Sequence, residues 1–280
     1  MPFFKNRGAK IYYEDSGSGE PVIAVHGLIE STGYWSVPGF AAAIEKKYRF
    51  IPMDMRGHGK TTVDPANPGY DAETVGEDII SLADHLGLDR FHLVTHSTGG
   101  FAASRYAMRD CSRFASLILT DTASYTSVVP GDPETIKTFH HRFARGFEKF
   151  SWEEIFANLE KVPGPFFRGI MESPEKEKLL GMARRMIDVN DRYECAAFIR
   201  SFYRDPDPMV EGLRRITCPV LVVYGDKDDL FIRSSALMAR EIPGAVAVCY
   251  PGSGHFTAIE ATESLIADVT GFLEKHPLSN

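Results

Sequence analysis

The amino-acid sequence predicts an α/β domain with a mostly parallel sheet, and three features of the chain lead to this prediction. From residue 11 to about residue 123, short apolar runs alternate with stretches of helical character. Several of the runs carry β-branched and apolar residues at consecutive positions, which is typical of parallel strands buried on both faces. The alternation resumes at Cys218. We therefore expect one sheet with helices on both of its faces.

Seven apolar runs are the candidate strands: Ile11–Glu14, Val22–His26, Phe50–Asp54, His92–His96, Leu117–Thr120, Val220–Tyr224 and Val246–Tyr250. Four further stretches have helical character: Ala72–Leu86, Gly99–Arg109, Ser234–Glu241 and Ala261–Lys275. Because helical stretches lie between the candidate strands, the connections are those of βαβ units.

The alternation is interrupted between the strands at Leu117–Thr120 and Val220–Tyr224. Residues 125–213 show aromatic and charged helical segments, broken by Val-Pro-Gly-Pro at 162–165 and Asp-Pro-Asp-Pro at 205–208. A helical insertion between two consecutive strands of one sheet accounts for this pattern. We expect a core domain formed by residues 1–124 and 214–280, with residues 125–213 as a helical cap insertion.

Composition and charge exclude several classes of protein. The chain has 280 residues, of which 44% are apolar and 25% charged, and its formal charge of −7 provides no basic face for nucleic acid or an anionic membrane. No stretch approaches the roughly 18–20 apolar residues of a membrane-spanning helix, and the N-terminal segment lacks a signal-peptide run. The four cysteines lie far apart, which favours buried thiols. We expect a cytoplasmic enzyme with a small-molecule substrate.

The segment Phe91–Gly100 carries the strongest functional signal. An apolar strand leads directly into Ser97, and a helix begins immediately afterwards. Such a sharp turn holds the serine hydroxyl out of the sheet, beside a helix N-terminus whose free N–H groups stabilise negative charge. Gly99 relieves crowding of the backbone, whereas Thr95 occupies a position where glycine is usual. Ser97 is therefore a candidate nucleophile, with helix capping as the alternative role.

A serine nucleophile needs a base, and the base needs a group that orients it. His255 follows the last candidate strand in a glycine-rich loop, and Asp226, Asp228 and Asp229 follow the strand before it. The loops beyond such strands are where α/β active sites form. The chain order serine, aspartate, histidine is the order expected for this arrangement. The residues alone leave the choice among the three aspartates open.

With these motifs, the sequence resembles the α/β-hydrolase superfamily over nearly its whole length. The matching segments are His26–Leu28, Asp54–Lys60, the turn at Ser97, Gly225–Asp228 and Gly254–Phe256. The Ser-Thr-Gly-Gly sequence of the turn is similar to that of cofactor-free haloperoxidases and esterases, and the general layout resembles enol-lactone hydrolases. The resemblance implies an α/β-hydrolase fold with an eight-stranded sheet and a helical cap over the site.

The resemblance also implies roles for individual residues. It assigns the acid to Asp228, three positions after Gly225, and the oxyanion hole to the backbone N–H groups of Thr98 and Leu28. No cofactor is implied.

The remaining histidines are interpreted as structural, because none has a metal-ligand spacing with suitable partners. We expect His26 to shape the oxyanion turn, His58 to be a loop residue and His96 to point away from the nucleophile. Helical geometry directs His140 and His141 to different sides. Both are expected at the surface, with one of them facing the pocket as the alternative. No metal site is therefore predicted.

The sequence thus predicts a serine hydrolase that cleaves a carboxylic ester or lactone through an acyl-enzyme. The insertion contains eight aromatic residues between Phe139 and Phe167. Most are expected to attach the cap to the core, and a minority to line an apolar pocket. The alternatives that keep the triad are perhydrolysis, thioester or amide cleavage and C–C bond hydrolysis. The alternative from another class is a ligand receptor with negligible turnover.

Overall fold

The structure is a computed structural model that describes residues 2–125, 133–159, 161–204 and 207–278. Residues 126–132 of the expected cap, and residues 205–206 of its Asp-Pro-Asp-Pro run, lie outside the described residues. The strands of the described part are β1 (Phe3–Asn6), β2 (Ala9–Tyr12), β3 (Ser16–Gly17), β4 (Pro21–Val25), β5 (Arg49–Met53), β6 (Thr62–Val63), β7 (Phe91–His96), β8 (Phe114–Thr120), β9 (Val220–Gly225) and β10 (Val246–Tyr250).

The helices of the described part are α1 (Gly33–Ser36), α2 (Phe40–Ile44), α3 (Ala72–His85), α4 (Ser97–Ala107), α5 (Pro133–Lys149), α6 (Trp152–Leu159), α7 (Arg168–Glu172), α8 (Lys176–Ile187), α9 (Arg192–Phe202), α10 (Val210–Leu213), α11 (Ile232–Glu241), α12 (Thr257–Glu260) and α13 (Thr262–Lys275). No helix in these ranges is long and apolar enough to cross a membrane.

One mostly parallel sheet organises the chain. Its strand order is β10-β9-β8-β7-β4-β5-β3, in which β3 pairs antiparallel with β5 and the other neighbours are parallel. Ile23 of β4 pairs with Ile51 of β5 on one side and with Leu93 of β7 on the other. The carboxyl ends of the parallel strands therefore meet at one edge, where the loops that carry the candidate residues emerge.

In the described residues the sheet has seven strands, one fewer than the resemblance implies. The strands β1, β2 and β6 form a separate antiparallel sheet. The backbone beyond β2 bends onto β5, where Glu14 N–H donates to Pro52 O at 2.9 Å and Tyr13 forms an isolated bridge with Met53. Because the N-terminal segment divides its hydrogen bonds between two sheets, it does not form one continuous strand of the main sheet.

The central strands bury side chains on both faces, as their consecutive apolar residues predict. In β8, Leu117 and Leu119 belong to one hydrophobic cluster and Ile118 to the other. The first cluster includes residues of α3, α4 and α11, and the second includes residues of α2, α8 and α13. The prediction of a mostly parallel sheet with helices on both faces is confirmed.

The helices α5 to α10 lie between β8 and β9 in the chain, and no strand occurs in the described residues of this interval. Helices α5 and α9 pack against each other through a small cluster that contains Phe147 and Ile199. The division of the chain into a core of residues 1–124 and 214–280 and a cap of residues 125–213 stays a prediction.

Candidate active site

Ser97 lies at the sharp turn between β7 and α4. Its φ is +48°, a left-handed backbone conformation that is unfavourable for a residue with a side chain. The hydroxyl of Thr122 donates a hydrogen bond to Ser97 O at 2.6 Å. A residue of the loop after β8 therefore holds the strained peptide in place. Such strain at a polar residue indicates a functional site rather than a simple helix cap.

Two glycines allow other backbone segments to approach this turn. A Cβ at Gly99 would lie 2.6 Å from the carbonyl oxygen of His26, and a Cβ at Gly27 would lie 2.9 Å from the Cβ of Ser97. Because both positions exclude a side chain, the loop after β4 packs directly against the serine turn. Leu28 is thereby held next to the turn.

Thr95, which occupies the position of an expected glycine, is accommodated within the sheet. Its side chain is buried, and its hydroxyl donates to the carbonyl of Ile118 on β8 at 2.8 Å. The hydroxyl of Thr120 donates back to the carbonyl of Thr95 at 2.9 Å. The β-branched side chain is therefore directed towards β8 and is held there by a hydrogen bond.

Three of the predicted site residues form one hydrogen-bonded chain. Nε2 of His255 lies 3.1 Å from Oγ of Ser97, and Nδ1 of His255 lies 2.8 Å from a carboxylate oxygen of Asp228. All three side chains are buried. A carboxylate only accepts hydrogen bonds, so Nδ1 carries the ring proton and Nε2 is free to accept from the serine hydroxyl.

The other two aspartates of the same loop do not contact His255. Asp226 accepts a 2.7 Å hydrogen bond from Gly252 N–H and so links the loops after β9 and β10. Asp229 forms a 2.6 Å ion pair with Arg168 and is about half exposed. The geometry therefore favours Asp228 among the three aspartates that the sequence leaves open.

His26 supports the backbone that carries Leu28. Met55 N–H donates to Nε2 of His26 at 3.1 Å, so the ring proton is on Nδ1, which lies 2.7 Å from Gly27 O. Burial lowers the pKa of His26 to about 3, which keeps the ring neutral. Leu28 and Thr98 both line the cavity over Ser97. The assignment of their N–H groups to the oxyanion hole stays a prediction.

A cavity of about 300 Å³ lies over Ser97 and His255. Its wall is mostly apolar, and no lysine or arginine of the described residues lines it. Five of the eight aromatic residues between Phe139 and Phe167 face the cavity, more than the minority expected: Phe139, Phe143, Phe147, Phe166 and Phe167. His140 also lines it and is buried, so the expected surface position is wrong for His140, whereas His141 is exposed. Burial lowers the pKa of His140 to about 4.

The sequence profile of the alpha/beta hydrolase fold family matches residues 20–262, which is most of the chain. The chain belongs to this family. The resemblance of the motifs to the α/β-hydrolase superfamily is confirmed, and so is the prediction that the protein is an enzyme.

Individual relatives of this hydrolase are distant but cover nearly its whole length. A non-heme haloperoxidase from Rhodococcus erythropolis is 27% identical, with 98% of this chain and 100% of the relative aligned. The structure is similar to that of a thermophilic esterase from Thermogutta terrifontis, with 27% identity, a TM-score of 0.78 and coverage of 96% and 95% of the two chains. The fold is also similar to that of an enol-lactonase from Burkholderia xenovorans, with 23% identity, a TM-score of 0.80 and coverage of 98% and 100%.

Two buried carboxylates of the hydrolase were not singled out by the sequence. Asp121 follows β8 and accepts hydrogen bonds from Thr257 and from Gly225 N–H, and burial, together with the charge of Asp228, raises its pKa. Glu30 follows β4 and contacts the ring of His96. The sequence signal that could have identified Asp121 is its position as a polar residue immediately after a buried strand. Glu30 had no comparable signal, because it lies within a loop.

The segment Asp54–Lys60 organises the loop after β5 rather than the reaction centre. Asp54 accepts N–H bonds from Thr32 and Lys60 at 2.6 and 2.8 Å, and Arg56 forms a buried ion pair with Asp78. His58 is buried in this loop, as expected of a structural residue. Across the described ranges, no group of three or more histidine, cysteine, aspartate or glutamate side chains is arranged to hold a metal ion.

Proposed function

We propose that this hydrolase cleaves neutral, largely apolar carboxylic esters or lactones through an acyl-enzyme formed on Ser97. The observation that carries the proposal is the hydrogen-bonded chain from Ser97 Oγ through His255 to Asp228, beneath an apolar cavity. A serine hydroxyl is weakly nucleophilic by itself, and this arrangement supplies an imidazole whose Nε2 faces the hydroxyl and can accept its proton.

The reaction follows from this geometry in two steps. Ser97 Oγ attacks the acyl carbon as its proton passes to Nε2 of His255, and the N–H groups of Thr98 and Leu28 stabilise the negative oxygen. Nε2 then returns the proton to the leaving alkoxide. A water molecule next attacks the acyl-enzyme, His255 accepts its proton, and the acid leaves as Ser97 recovers the proton. The carboxylate of Asp228 stabilises the imidazolium that forms in each step.

The cavity supports an uncharged acyl group. Its aromatic wall offers dispersion contacts to aliphatic chains and rings, and its described lining has no cationic side chain that would pair with a substrate carboxylate. Transfer of an unpaired carboxylate into such a wall is strongly unfavourable. This argues against a dianionic substrate of the kind named for a 27% identical relative from Dechloromonas aromatica, a 2-hydroxy-6-oxononadienedioate/2-hydroxy-6-oxononatrienedioate hydrolase.

A second candidate is perhydrolysis, in which hydrogen peroxide replaces water in the attack on the acyl-enzyme. The haloperoxidase relatives favour it, because they are similar over nearly the whole chain. It requires the same Ser97 and His255. The two candidates differ only in the acceptor, so peracid formation from an ester in the presence of peroxide distinguishes them.

The test is active-site labelling combined with removal of the nucleophile. A fluorophosphonate should attach to Ser97, and Ser97→Ala should lower kcat on p-nitrophenyl butanoate by roughly 10⁴- to 10⁶-fold. Ser104→Ala is a matched control, because Ser104 is also buried on α4 but donates to Phe101 O instead of facing His255. Attachment to another serine, or a Ser97→Ala variant with near-normal turnover, would overturn the proposal.

A further inference from the structure

His96 lies one residue before Ser97, but its ring is directed away from the serine and into a buried polar cluster. Nδ1 of His96 lies 2.9 Å from a carboxylate oxygen of Glu30, and Nε2 lies 2.8 Å from the main-chain oxygen of His255. The ring is completely buried and stacks on Tyr34, with 4.2 Å between ring centroids. Its position is therefore fixed by contacts on every side.

The hydrogen-bond partners determine where the protons of this ring are. A carbonyl oxygen only accepts, so Nε2 of His96 must carry a proton and donate it to His255 O. A further proton is shared between Nδ1 and the carboxylate of Glu30, since two acceptors would otherwise face each other at 2.9 Å. The Glu30–His96 pair is thus joined by a buried hydrogen bond.

The same carboxylate oxygen of Glu30 also accepts Gly27 N–H at 2.6 Å. The residue after Gly27 is Leu28, whose N–H is assigned to the oxyanion hole. Glu30 and His96 therefore connect the loop of Leu28 to the loop of His255 through atoms that take no part in proton transfer. We infer that His96, held by Glu30, is a positioning residue that sets the distance between the base and the oxyanion-binding backbone.

This inference rests on the proposed function of Ser97 and His255, and it gives the buried pair a role in the rate as well as in folding. The loop of His255 also receives support from Glu260, which accepts the N–H groups of Gly254 and Phe256 at 2.8 and 3.0 Å. The N–H groups on either side of His255 therefore remain bonded when His96 is replaced. The carbonyl of His255 is the group that His96 holds, and its release changes the tilt of the imidazole rather than unfolding the loop.

The test compares three substitutions on one strand. His96→Phe keeps a ring on Tyr34 but removes both hydrogen bonds, whereas His96→Gln restores a donor near the position of Nε2. His92→Phe is the matched control: His92 is also completely buried on β7 and bonds to Ser116 Oγ at 2.8 Å, but it lies four residues before His96. Each variant is assayed for kcat and KM on p-nitrophenyl butanoate, for the rate of fluorophosphonate attachment to Ser97, and for Tm.

We expect His96→Phe to lower both kcat and the rate of attachment by about 10- to 100-fold, because small displacements of catalytic groups have effects of this size. KM should change by less than about threefold, since His96 does not line the cavity. His96→Gln should recover most of kcat. His92→Phe should lower Tm and leave kcat near that of the wild type. Equal kcat values for His96→Phe and His92→Phe, or no recovery in His96→Gln, would overturn the inference.

Proton NMR spectroscopy tests the positioning role of His96 independently of turnover. The proton between Nδ1 of His255 and Asp228 gives a downfield proton resonance, and this resonance should shift or broaden in His96→Phe but not in His92→Phe. Absence of turnover and labelling in the wild type would contradict the proposed function, while the resonance would still report whether His96 positions the ring. An unchanged resonance in His96→Phe would refute the positioning role.

Discussion

Asp228 holds His255 through one carboxylate oxygen, at 2.8 Å from Nδ1, and accepts Phe231 N–H through the other at 3.2 Å. The ring of Phe231 stacks on the imidazole of His255, with 4.7 Å between the centroids. The turn that orients the carboxylate therefore also supplies the apolar cover of the base. Replacement of the carboxylate by an amide tests its charge while the turn is kept.

Asp228→Asn should lower kcat on the order of 10⁴-fold with little change in Tm, because an amide donor facing Nδ1 stabilises the wrong tautomer of His255. Asp226→Asn and Asp229→Asn should each change kcat by less than about threefold, since neither carboxylate contacts the imidazole. Steady-state kinetics and thermal unfolding of the three variants provide the comparison. A crippling effect of Asp226→Asn, or a mild effect of Asp228→Asn, would show that the acid is assigned incorrectly.

Local chemistry in the sequence identified Ser97 and His255 as candidates, and the structure places their side chains 3.1 Å apart. The choice of Asp228 among the three aspartates came from the family resemblance. The turn at Ser97 and the loops of Asp228 and His255 each follow a recognisable buried strand, so their meeting at one edge followed from parallel pairing. The hydrogen bonds of the Glu30–His96 pair had no such signal. Glu30 precedes His96 by 66 positions, and His255, the other hydrogen-bond partner of His96, follows it by 159 positions. These contacts exist only when the segments that carry the three residues are packed together.

The sequence could not decide which of His140 and His141 faces the cavity. His140 and His141 are adjacent on a helix whose orientation depends on its packing against α9, and only His140 is turned inward. The division of the N-terminal segment between two sheets, with β2 in one and β3 in the other, also depends on packing. Whether one extended segment joins one sheet or divides its hydrogen bonds between two depends on distant strands.

Gly99→Ala should destabilise the fold by about 1–3 kcal/mol and reduce activity, because its Cβ would meet the carbonyl oxygens of His26 and Val25 at 2.6 and 2.9 Å. These are backbone atoms of the neighbouring strand and loop, so no side chain can move aside. Gly271→Ala in α13 is the control: its Cβ would meet no atom within 4 Å, and helix propensity predicts a gain of about 0.5–1 kcal/mol. Urea unfolding measures the free energy of unfolding of both variants. A Gly99→Ala variant as stable as the wild type would contradict this packing.

Selectivity against a charged acyl group follows from the lining of the cavity. p-Nitrophenyl butanoate and the p-nitrophenyl monoester of succinic acid have acyl chains of similar length, but the second ends in a carboxylate. We expect kcat/KM to favour the butanoate by at least about 100-fold, because the described lining has no cation to pair with the carboxylate. Equal values would indicate that the acyl group lies outside the cavity. An Ile155→Lys variant, with a cation in the wall, should reduce the preference.

His26 and His58 should each contribute a loss of stability as the pH falls below about 6.5, the ordinary pKa of histidine. Burial is the main cause that lowers the pKa of His26 and of His58 to about 3, and a neighbouring histidine lowers it further, His96 for His26 and His26 for His58. Between pH 6.5 and about 3 the unfolded chain therefore binds protons that the folded chain does not, and its relative free energy falls. Asp54 and Asp121 act in the opposite direction, since burial raises the pKa of both carboxyl groups, that of Asp54 to about 6.

His58→Phe tests this account at a single residue. The ring of His58 packs edge-on against Phe198, and its Nε2 has no hydrogen-bond partner in the described part of the chain, so a phenyl ring keeps this packing. The variant loses the 2.9 Å hydrogen bond from Nδ1 to Arg56 O, and this loss is the same at both pH values. One histidine that stays neutral in the fold costs up to about 2 kcal/mol of stability between pH 7 and pH 5. Between pH 7 and pH 5, the free energy of unfolding in urea should therefore fall by up to about 2 kcal/mol less in His58→Phe than in the wild type. His141→Phe, at an exposed side chain, controls for the loss of an imidazole from the surface. The same pH dependence in His58→Phe and the wild type would mean that His58 takes up its proton without unfolding.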